Sequence, residues 1–128
     1  MSHPRADSPA VDVREADRLR RLPVDGSATP ALLVDVREVG EVVAVRADDV
    51  VVLPISQFAL RYRELPGDRP LLIICQSGNR SGMVAGHLVR NGYPDAANVA
   101  GGMIAWERAG LPVRRGPLAP GEGELPRG

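Results

Sequence analysis

Residues 71–82, LLIICQSGNRSG, join an apolar run, a short polar loop and the start of a helix in direct succession. A short run rich in leucine and isoleucine, bounded by turn residues, is typical of a central strand that is covered on both faces. The chain's only cysteine, Cys75, stands where this run gives way to the loop. Cys75 is either a small hydrophobic residue that fills the end of a core strand or a reactive thiol at a functional site.

Apolar runs alternate with helix-like segments along the rest of the chain. The runs that predict strands are residues 31–36, 50–55 and 71–75, with the less apolar run 96–100 as a fourth. The segments that predict helices are residues 14–22, 56–65, 80–91 and 103–110. Asp12 and Ser56 are predicted N-caps, and Gly92 is predicted to close the third helix in a left-handed conformation. This alternation predicts an α/β domain with a largely parallel sheet, in which residues 37–49 stay unassigned.

The length of 128 residues indicates one domain, predicted over residues 11–115. The flanks, residues 1–10 and the Pro- and Gly-rich tail 116–128, are predicted to be flexible. A single cysteine excludes an internal disulfide, and no apolar run approaches the roughly 20 residues of a membrane helix. These features favour a soluble protein of the reducing cytoplasm, with no membrane contact.

The 16 basic and 16 acidic residues balance and alternate along the chain, which argues against nucleic acid as a partner. Every basic residue is arginine, so lysine Schiff bases and P-loop lysines are excluded. His3 and His87 lie at no ligand spacing from Cys75, so neither a metal nor another cofactor is predicted. His87 is interpreted as a packing or surface residue, and Trp106 as a core residue.

Three sequence-distant segments are expected at one edge of the sheet. Asp35 and Arg37 close the first apolar run, Cys75 closes the third, and the pair Gly101 and Gly102 follows the fourth. The carboxyl ends of parallel strands meet at the same edge, where open α/β sheets bind their ligands. Asp35 and Arg37 therefore either flank a site or form a local ion pair at a strand end.

The loop after Cys75 suits an anion. Its small polar residues allow consecutive N–H groups to turn inward, and the helix that follows adds the partial positive charge of its N-terminus. Arg80 supplies a full positive charge at the end of the loop. Such surroundings lower the pKa of a thiol from about 8.5 into a range of roughly 3.5 to 7.5. The candidate site residues are the nucleophile Cys75 and a cradle of Gln76, Ser77, Gly78, Asn79, Arg80 and Ser81.

Four segments carry a family pattern. They are LLVDVRE (32–38), LPISQF (53–58), LLIICQSGNRS (71–81) and NVAGGMIAWERAGLPV (98–113). Their order and spacing make the chain resemble a single-domain rhodanese, a sulfurtransferase, across residues 11–113. The resemblance implies an open five-stranded parallel sheet with helices on both faces. It also adds a short first strand near residues 10–13.

The resemblance implies a reaction as well. The Cys75 thiolate attacks the sulfane sulfur of a small anionic donor such as thiosulfate, sulfite leaves, and a persulfide remains on Cys75. A thiol, a protein acceptor or cyanide then takes that sulfur. Asp35, Arg37 and Gly101 flank the site in this scheme. Position 76 is glutamine where several thiosulfate-using members have arginine, so one cation fewer faces the donor.

Two other functions stay open. The first is a rhodanese-like interaction or sulfur-relay module that serves a specific partner protein. The second is a phosphatase or arsenate reductase, since the wider superfamily includes such cysteine enzymes. Those enzymes place five residues between the cysteine and the arginine, whereas four residues separate Cys75 from Arg80. The shorter loop favours sulfur transfer.

Overall fold

The computed structural model describes residues 9–126, in which strands and helices alternate. The strands are β1 (Ala10–Val11), β2 (Leu32–Asp35), β3 (Arg46–Ala47), β4 (Val51–Val52), β5 (Leu71–Ile74), β6 (Ala96–Val99) and β7 (Val113–Arg114). The helices are α1 (Val13–Arg20), α2 (Val39–Ala44), α3 (Ile55–Arg61) with a following 3₁₀ turn (Tyr62–Glu64), α4 (Asn79–Arg90) and α5 (Gly102–Arg108). None of the helices between residues 9 and 126 has the length and apolar character that crossing a bilayer requires.

Five strands form one parallel sheet in the order β1, β6, β5, β2, β4. The predicted five-stranded parallel sheet is thereby confirmed, and so is the short first strand that the family resemblance implied. The central pair of strands aligns Leu71 with Leu32 and Ile74 with Asp35. The carboxyl ends of β2 and β5 therefore lie side by side, with β6 on the other flank of β5.

Two apolar layers cover the sheet, one on each face. Because side chains alternate along a strand, Leu71, Ile73 and Cys75 enter the layer beneath α3 and α4. Leu72 and Ile74 enter the opposite layer, beneath α1 and α5, where the fully buried Trp106 also lies. Helices thus cover both faces, as predicted. Cys75 continues the alternation of β5 and is itself buried, with 1% of its surface exposed.

Two predicted boundaries after β4 are wrong. The strand predicted over residues 50–55 is only Val51–Val52, and Pro54 rather than Ser56 holds the N-cap position of α3. The Glu38 carboxylate reaches across from the start of α2 and accepts from the Ser56 N–H at 3.2 Å and from its hydroxyl at 2.9 Å. A carboxylate from the start of α2 therefore accepts the hydrogen bond of a free N–H in the first turn of α3. Local sequence spacing does not reveal a contact between two such distant segments.

Other helix ends follow their predicted signals. Asp12 caps α1, because its carboxylate accepts from the Glu15 N–H at 2.8 Å. Gly92 has a φ of +99°, the left-handed value predicted for the residue that closes α4. These two ends are fixed by contacts within one turn of the helix, so local sequence is enough to predict them.

Residues 37–49, which the sequence alone leaves unassigned, contain α2 and β3. β3 pairs antiparallel with β7 and forms a second, small sheet. This sheet places the buried Arg46 beneath the C-terminal segment. Its guanidinium donates to the Gly116 carbonyl at 2.7 Å and to the Glu122 carboxylate at 2.6 and 3.0 Å. Arg46 therefore ties the C-terminal segment to the domain.

The C-terminal segment lies against the domain up to residue 126. The Val52 N–H donates to the Gly123 carbonyl at 2.8 Å, so this segment covers the outer edge of β4. Leu125 packs against the apolar layer beneath α3 and α4. The predicted domain limits, residues 11–115, and the predicted flexibility of both flanks stay predictions. Residues 1–8 and 127–128 of those flanks lie outside the described residues.

Replacing Glu122 with glutamine is expected to lower the free energy of unfolding by about 2 kcal/mol, because the buried Arg46 loses its charged partner. The Arg46 guanidinium holds the pKa of Glu122 at about 2. The stabilisation is therefore complete above the unfolded pKa of about 4.3 and is lost as pH falls through about 2. Urea unfolding at pH 7 and pH 3 measures the difference in free energy of unfolding between the unchanged chain and Glu122→Gln. This difference should be smaller at pH 3.

The matched control for this change is Glu124→Gln, made at an exposed residue two positions further along. A surface substitution of this kind is expected to change the free energy of unfolding by less than about 0.5 kcal/mol. Equal losses from both variants, or a Glu122→Gln loss that does not depend on pH, would contradict the role given to the Arg46–Glu122 pair.

Candidate active site

The Cys75 sulfur lies where several hydrogen-bond donors converge. The Gly78 N–H is 3.1 Å from Sγ, the Ser81 N–H is 3.3 Å away and the Ser81 hydroxyl is 3.2 Å away. β5 ends one residue before Cys75 and α4 begins at Asn79, so the connecting loop is very short. Its N–H groups and those of the first helical turn therefore point at one atom. Such an arrangement favours negative charge on the sulfur.

The pKa of the Cys75 thiol reflects two opposed effects. Burial by itself would raise the pKa, but the hydrogen bonds to sulfur outweigh it. The donors are the Ser81 hydroxyl and the N–H groups of Ser81, Gly78 and Ser77. They hold the pKa of Cys75 below that of an ordinary cysteine, because each stabilises the thiolate. The same residue thus packs in the core and carries an acidified thiol.

The first turn of α5 holds the loop in this shape. The Met103 N–H donates to the Cys75 carbonyl at 2.8 Å, and the Ile104 N–H donates to the Gln76 carbonyl at 3.1 Å. With these carbonyls bound to α5, the following N–H groups are left to face the sulfur. Gly102 makes the close approach possible, since a Cβ there would lie 2.4 Å from the Cys75 carbonyl oxygen and 2.6 Å from that of Gln76.

Asp35 and Arg37 form a buried ion pair that also touches the loop. The Arg37 guanidinium donates to both carboxylate oxygens of Asp35, with its shortest contact at 2.9 Å. A further N–H of Arg37 lies 3.2 Å from Gln76 Oε1. The local ion pair and the site-flanking position, which the sequence left as alternatives, therefore occur together. Arg37 orients the side chain of Gln76.

The Arg80 guanidinium is paired with a carboxylate from α2. It makes two parallel hydrogen bonds to Glu41, at 2.9 and 2.8 Å. Arg80 lowers the pKa of Glu41 to about 2, and Glu41 in turn raises the pKa of Arg80, so both are charged at neutral pH. The positive charge that the sequence assigned to the end of the loop is thus compensated. The Ser81 hydroxyl and the N–H groups are the main donors that acidify Cys75.

Most of the predicted site residues meet at this edge of the sheet. Gly101 lies beside the loop, with its nitrogen 3.3 Å from the place a Cβ on Gly78 would occupy. Ser77 and Asn79 are exposed, and Ser77 contributes its N–H rather than its side chain. Within residues 9–126, no three histidine, cysteine, aspartate or glutamate side chains are arranged to hold a metal ion.

Two residues at this edge, Asn98 and Glu41, escaped prediction, and Gly102 was expected there only as part of a glycine pair. Asn98 on β6 contacts Ser81 Oγ at 2.6 Å, and the only signal for it was an amide inside a short strand. Both glycines of that pair lie beside the loop, and only the fold shows that Gly102 is the one whose Cβ would meet the Cys75 and Gln76 carbonyls. Glu41 lies 39 residues before Arg80 in the chain, so nothing local joins them.

The rhodanese-like domain model matches residues 3–109, which include the loop after Cys75 and the glycine pair that begins α5. The chain belongs to the rhodanese-like family. The match spans most of the chain, so it covers the whole parallel sheet and every residue of the site described above.

Two curated proteins and one solved structure illustrate what this chain is similar to. A sulfurtransferase from Allochromatium vinosum is 40% identical over 82 residues, 64% of this chain and 77% of that protein. A thiosulfate sulfurtransferase from Pseudomonas syringae is 37% identical over 76 residues, 59% of this chain and 72% of that protein. The crystal structure of a rhodanese-related protein from Thermoplasma volcanium has a TM-score of 0.69, covering 83% of this chain and 97% of that one at 24% identity, a likeness of fold.

Proposed function

We propose that this rhodanese-like chain is a sulfurtransferase that carries sulfur as a persulfide on Cys75. The observation that carries the proposal is the set of donors around Sγ, from Gly78 and Ser81. They stabilise a thiolate before the reaction and a negatively charged sulfur adduct after it. The sulfurtransferases among the relatives support the same class of reaction.

The reaction consists of two displacements at sulfur. The Cys75 thiolate attacks the sulfane sulfur of the donor, and the donor's sulfur–sulfur bond breaks. With thiosulfate, sulfite leaves with the electron pair and Cys75 retains a persulfide anion. An acceptor thiolate or cyanide then attacks the outer sulfur, which gives an acceptor persulfide or thiocyanate and restores the Cys75 thiolate. No metal or redox cofactor takes part in this scheme.

Thiocyanate formation from thiosulfate and cyanide tests this proposal. The purified chain is expected to show a rate that saturates with thiosulfate and rises with pH as Cys75 ionises. Because the two displacements are separate steps, varying both substrates should give ping-pong kinetics. A rate no higher than buffer alone, both with thiosulfate and with a small-thiol persulfide as donor, would overturn the proposal.

The charges around the loop favour a donor less anionic than thiosulfate. Arg37 is compensated by Asp35 and Arg80 by Glu41, so neither arginine offers a net positive charge to a dianion. Gln76, which faces Arg37, is neutral. These pairs support a second candidate, in which the chain relays sulfur from a persulfide on a small thiol or on a partner protein.

Glu41→Gln is expected to lower the KM for thiosulfate about three- to ten-fold, because it leaves Arg80 with an uncompensated charge near the donor. Glutamine still has an oxygen that can accept from the Glu38 N–H, as Glu41 does at 3.1 Å, so the start of α2 is kept. Steady-state kinetics at low and at high salt measure the effect, which salt should weaken.

The control for this variant is Glu64→Gln, which breaks an exposed ion pair with Arg61 at the end of α3. We expect Glu64→Gln to leave the KM for thiosulfate unchanged, and Glu41→Gln to alter the KM for a singly charged persulfide donor much less than that for thiosulfate. A thiosulfate KM that Glu41→Gln leaves unchanged at low salt would contradict this account of donor choice.

A further inference from the structure

Asn98, on β6, contacts Ser81 and Gly78, two of the residues that donate hydrogen bonds to the Cys75 sulfur. Its Oδ1 lies 2.6 Å from Ser81 Oγ, and its Nδ2 lies 3.2 Å from the Gly78 carbonyl oxygen. The sheet register places Asn98 opposite Ile73, two residues before the cysteine. One amide group therefore bridges the Ser81 hydroxyl and the Gly78 carbonyl.

The orientation of this amide follows from its partners. A backbone carbonyl only accepts hydrogen bonds, so the Gly78 oxygen requires the NH₂ end of Asn98. The oxygen end then faces Ser81, and that oxygen also only accepts. Two oxygens at 2.6 Å need a proton between them, and Ser81 is the residue that carries one. In this arrangement the Ser81 hydroxyl donates to Asn98.

The Ser81 hydroxyl has one proton but faces two acceptors, Asn98 Oδ1 at 2.6 Å and Cys75 Sγ at 3.2 Å. While Cys75 is a neutral thiol, its own proton can be donated to the Ser81 oxygen, and Ser81 can donate to Asn98. Once the thiol proton has left to solvent, the sulfur is an anion with no proton. Ser81 must then rotate its proton from Asn98 to the sulfur to stabilise it.

We propose that Asn98 is a positioning residue that competes with the Cys75 thiolate for the Ser81 proton and thereby limits ionisation of the sulfur. The inference rests on the proposed function only in taking Cys75 as the reactive residue. Asn98 acts on the sulfur through Ser81, while its NH₂ group holds the Gly78 carbonyl. Asn98 Oδ1 gives the buried Ser81 hydroxyl a hydrogen-bond acceptor whenever the Cys75 sulfur is not an anion.

Charged groups that face the loop come from β2, α2 and α4. They are the Asp35–Arg37 pair at the end of β2 and the Glu41–Arg80 pair between the two helices. Among the described residues, β6 and the first turn of α5 contribute no ionisable side chain. Substitutions at Asn98 and Ser81 leave both ion pairs in place. The ion pairs therefore contribute equally to the Cys75 pKa in every variant, and their contribution cancels when the variants are compared.

A double-mutant cycle on the Cys75 pKa tests this competition. Asn98→Leu is close to asparagine in size and removes both hydrogen-bonding ends of the amide. The rate of alkylation by iodoacetamide as a function of pH gives the pKa in wild type, Asn98→Leu, Ser81→Ala and the double variant. In the wild-type background, Asn98→Leu is expected to lower the pKa by about half to one pH unit, because the released hydroxyl serves the thiolate.

In the Ser81→Ala background there is no hydroxyl to release, so Asn98→Leu is not expected to lower the Cys75 pKa. An equal change in both backgrounds would overturn the proposal, since Asn98 would then act only by holding Gly78. A rise in pKa confined to the Ser81-containing background would also overturn it, because Asn98 would then direct the hydroxyl toward the sulfur.

Two features keep this test decisive. Asn98→Ala removes the same groups and replaces Asn98→Leu in the cycle if thermal unfolding shows that leucine does not fit. Alkylation needs no sulfur donor, so a chain that transfers no sulfur still reports on the competition. Conversely, if the cycle shows no coupling between Ser81 and Asn98, the chain can still form thiocyanate, so failure of this inference is distinguishable from failure of the proposed function.

Discussion

Replacing Cys75 with serine is expected to reduce thiocyanate formation by at least about 10,000-fold, the largest effect of any single change in this chain. Serine is nearly the same size and keeps the N–H donors of the loop in place. Its hydroxyl does not ionise at neutral pH, however, and it cannot form the sulfur–sulfur bond that holds the transferred atom. Turnover with saturating thiosulfate and cyanide measures the loss.

Circular dichroism and thermal unfolding must show that the Cys75→Ser chain is folded. Cys75 is the only cysteine, so no other thiol can take over the reaction. Sulfur transfer that persists in a folded Cys75→Ser chain would contradict the assignment of Cys75 as the nucleophile.

Gly102→Ala is expected to lower kcat/KM about 100-fold while the domain stays folded. The added methyl group would meet the carbonyl oxygens of Cys75 and Gln76 at 2.4 and 2.6 Å, so the loop and α5 must move apart. That movement stretches the bonds from the Met103 and Ile104 N–H groups, which hold the loop. The donors around the sulfur are then misplaced, and both turnover and the acidity of Cys75 should fall.

Gly110→Ala is the matched control for the backbone part of this effect. Gly110 also has a positive φ, +73° against +57° for Gly102, but a Cβ there meets no atom within 4 Å. Each alanine costs about 1 kcal/mol of stability for its left-handed backbone, so both variants should unfold more easily. Only Gly102→Ala should lose activity. Equal losses of activity from both variants would contradict a role for Gly102 in seating the loop.

The sheet was predictable because its strands are short and apolar along their whole length. The run LLII at residues 71–74 is buried on both faces, and the alternation that carries Leu71 and Ile73 into one layer also fixes the side of Cys75. Asp12 and Gly92 were predictable for another reason, since a cap depends on contacts within one turn. Local pattern therefore sufficed wherever the deciding contact was local.

What escaped prediction depends on contacts between distant segments. Ser56 is predicted as an N-cap, but it lies inside the first turn of α3, where the Glu38 carboxylate from the start of α2 binds it. Arg80 is predicted to supply a full positive charge to the loop, but Glu41, 39 residues earlier in the chain, compensates that charge. Asn98 lies at the site because the register between β6 and β5 pairs it with Ile73, close to Cys75. A loop's chemistry can be predicted from its own residues, whereas its charge balance requires the fold.

The most direct test of sulfur transfer through Cys75 is the mass of the intact chain after incubation with a sulfur donor. With thiosulfate or a small-thiol persulfide, the chain should gain one sulfur atom, cyanide should remove it, and peptide mapping should locate it on Cys75. The Cys75→Ser chain should gain nothing. No mass gain with either donor, or a gain that Cys75→Ser retains, would contradict the proposed persulfide mechanism.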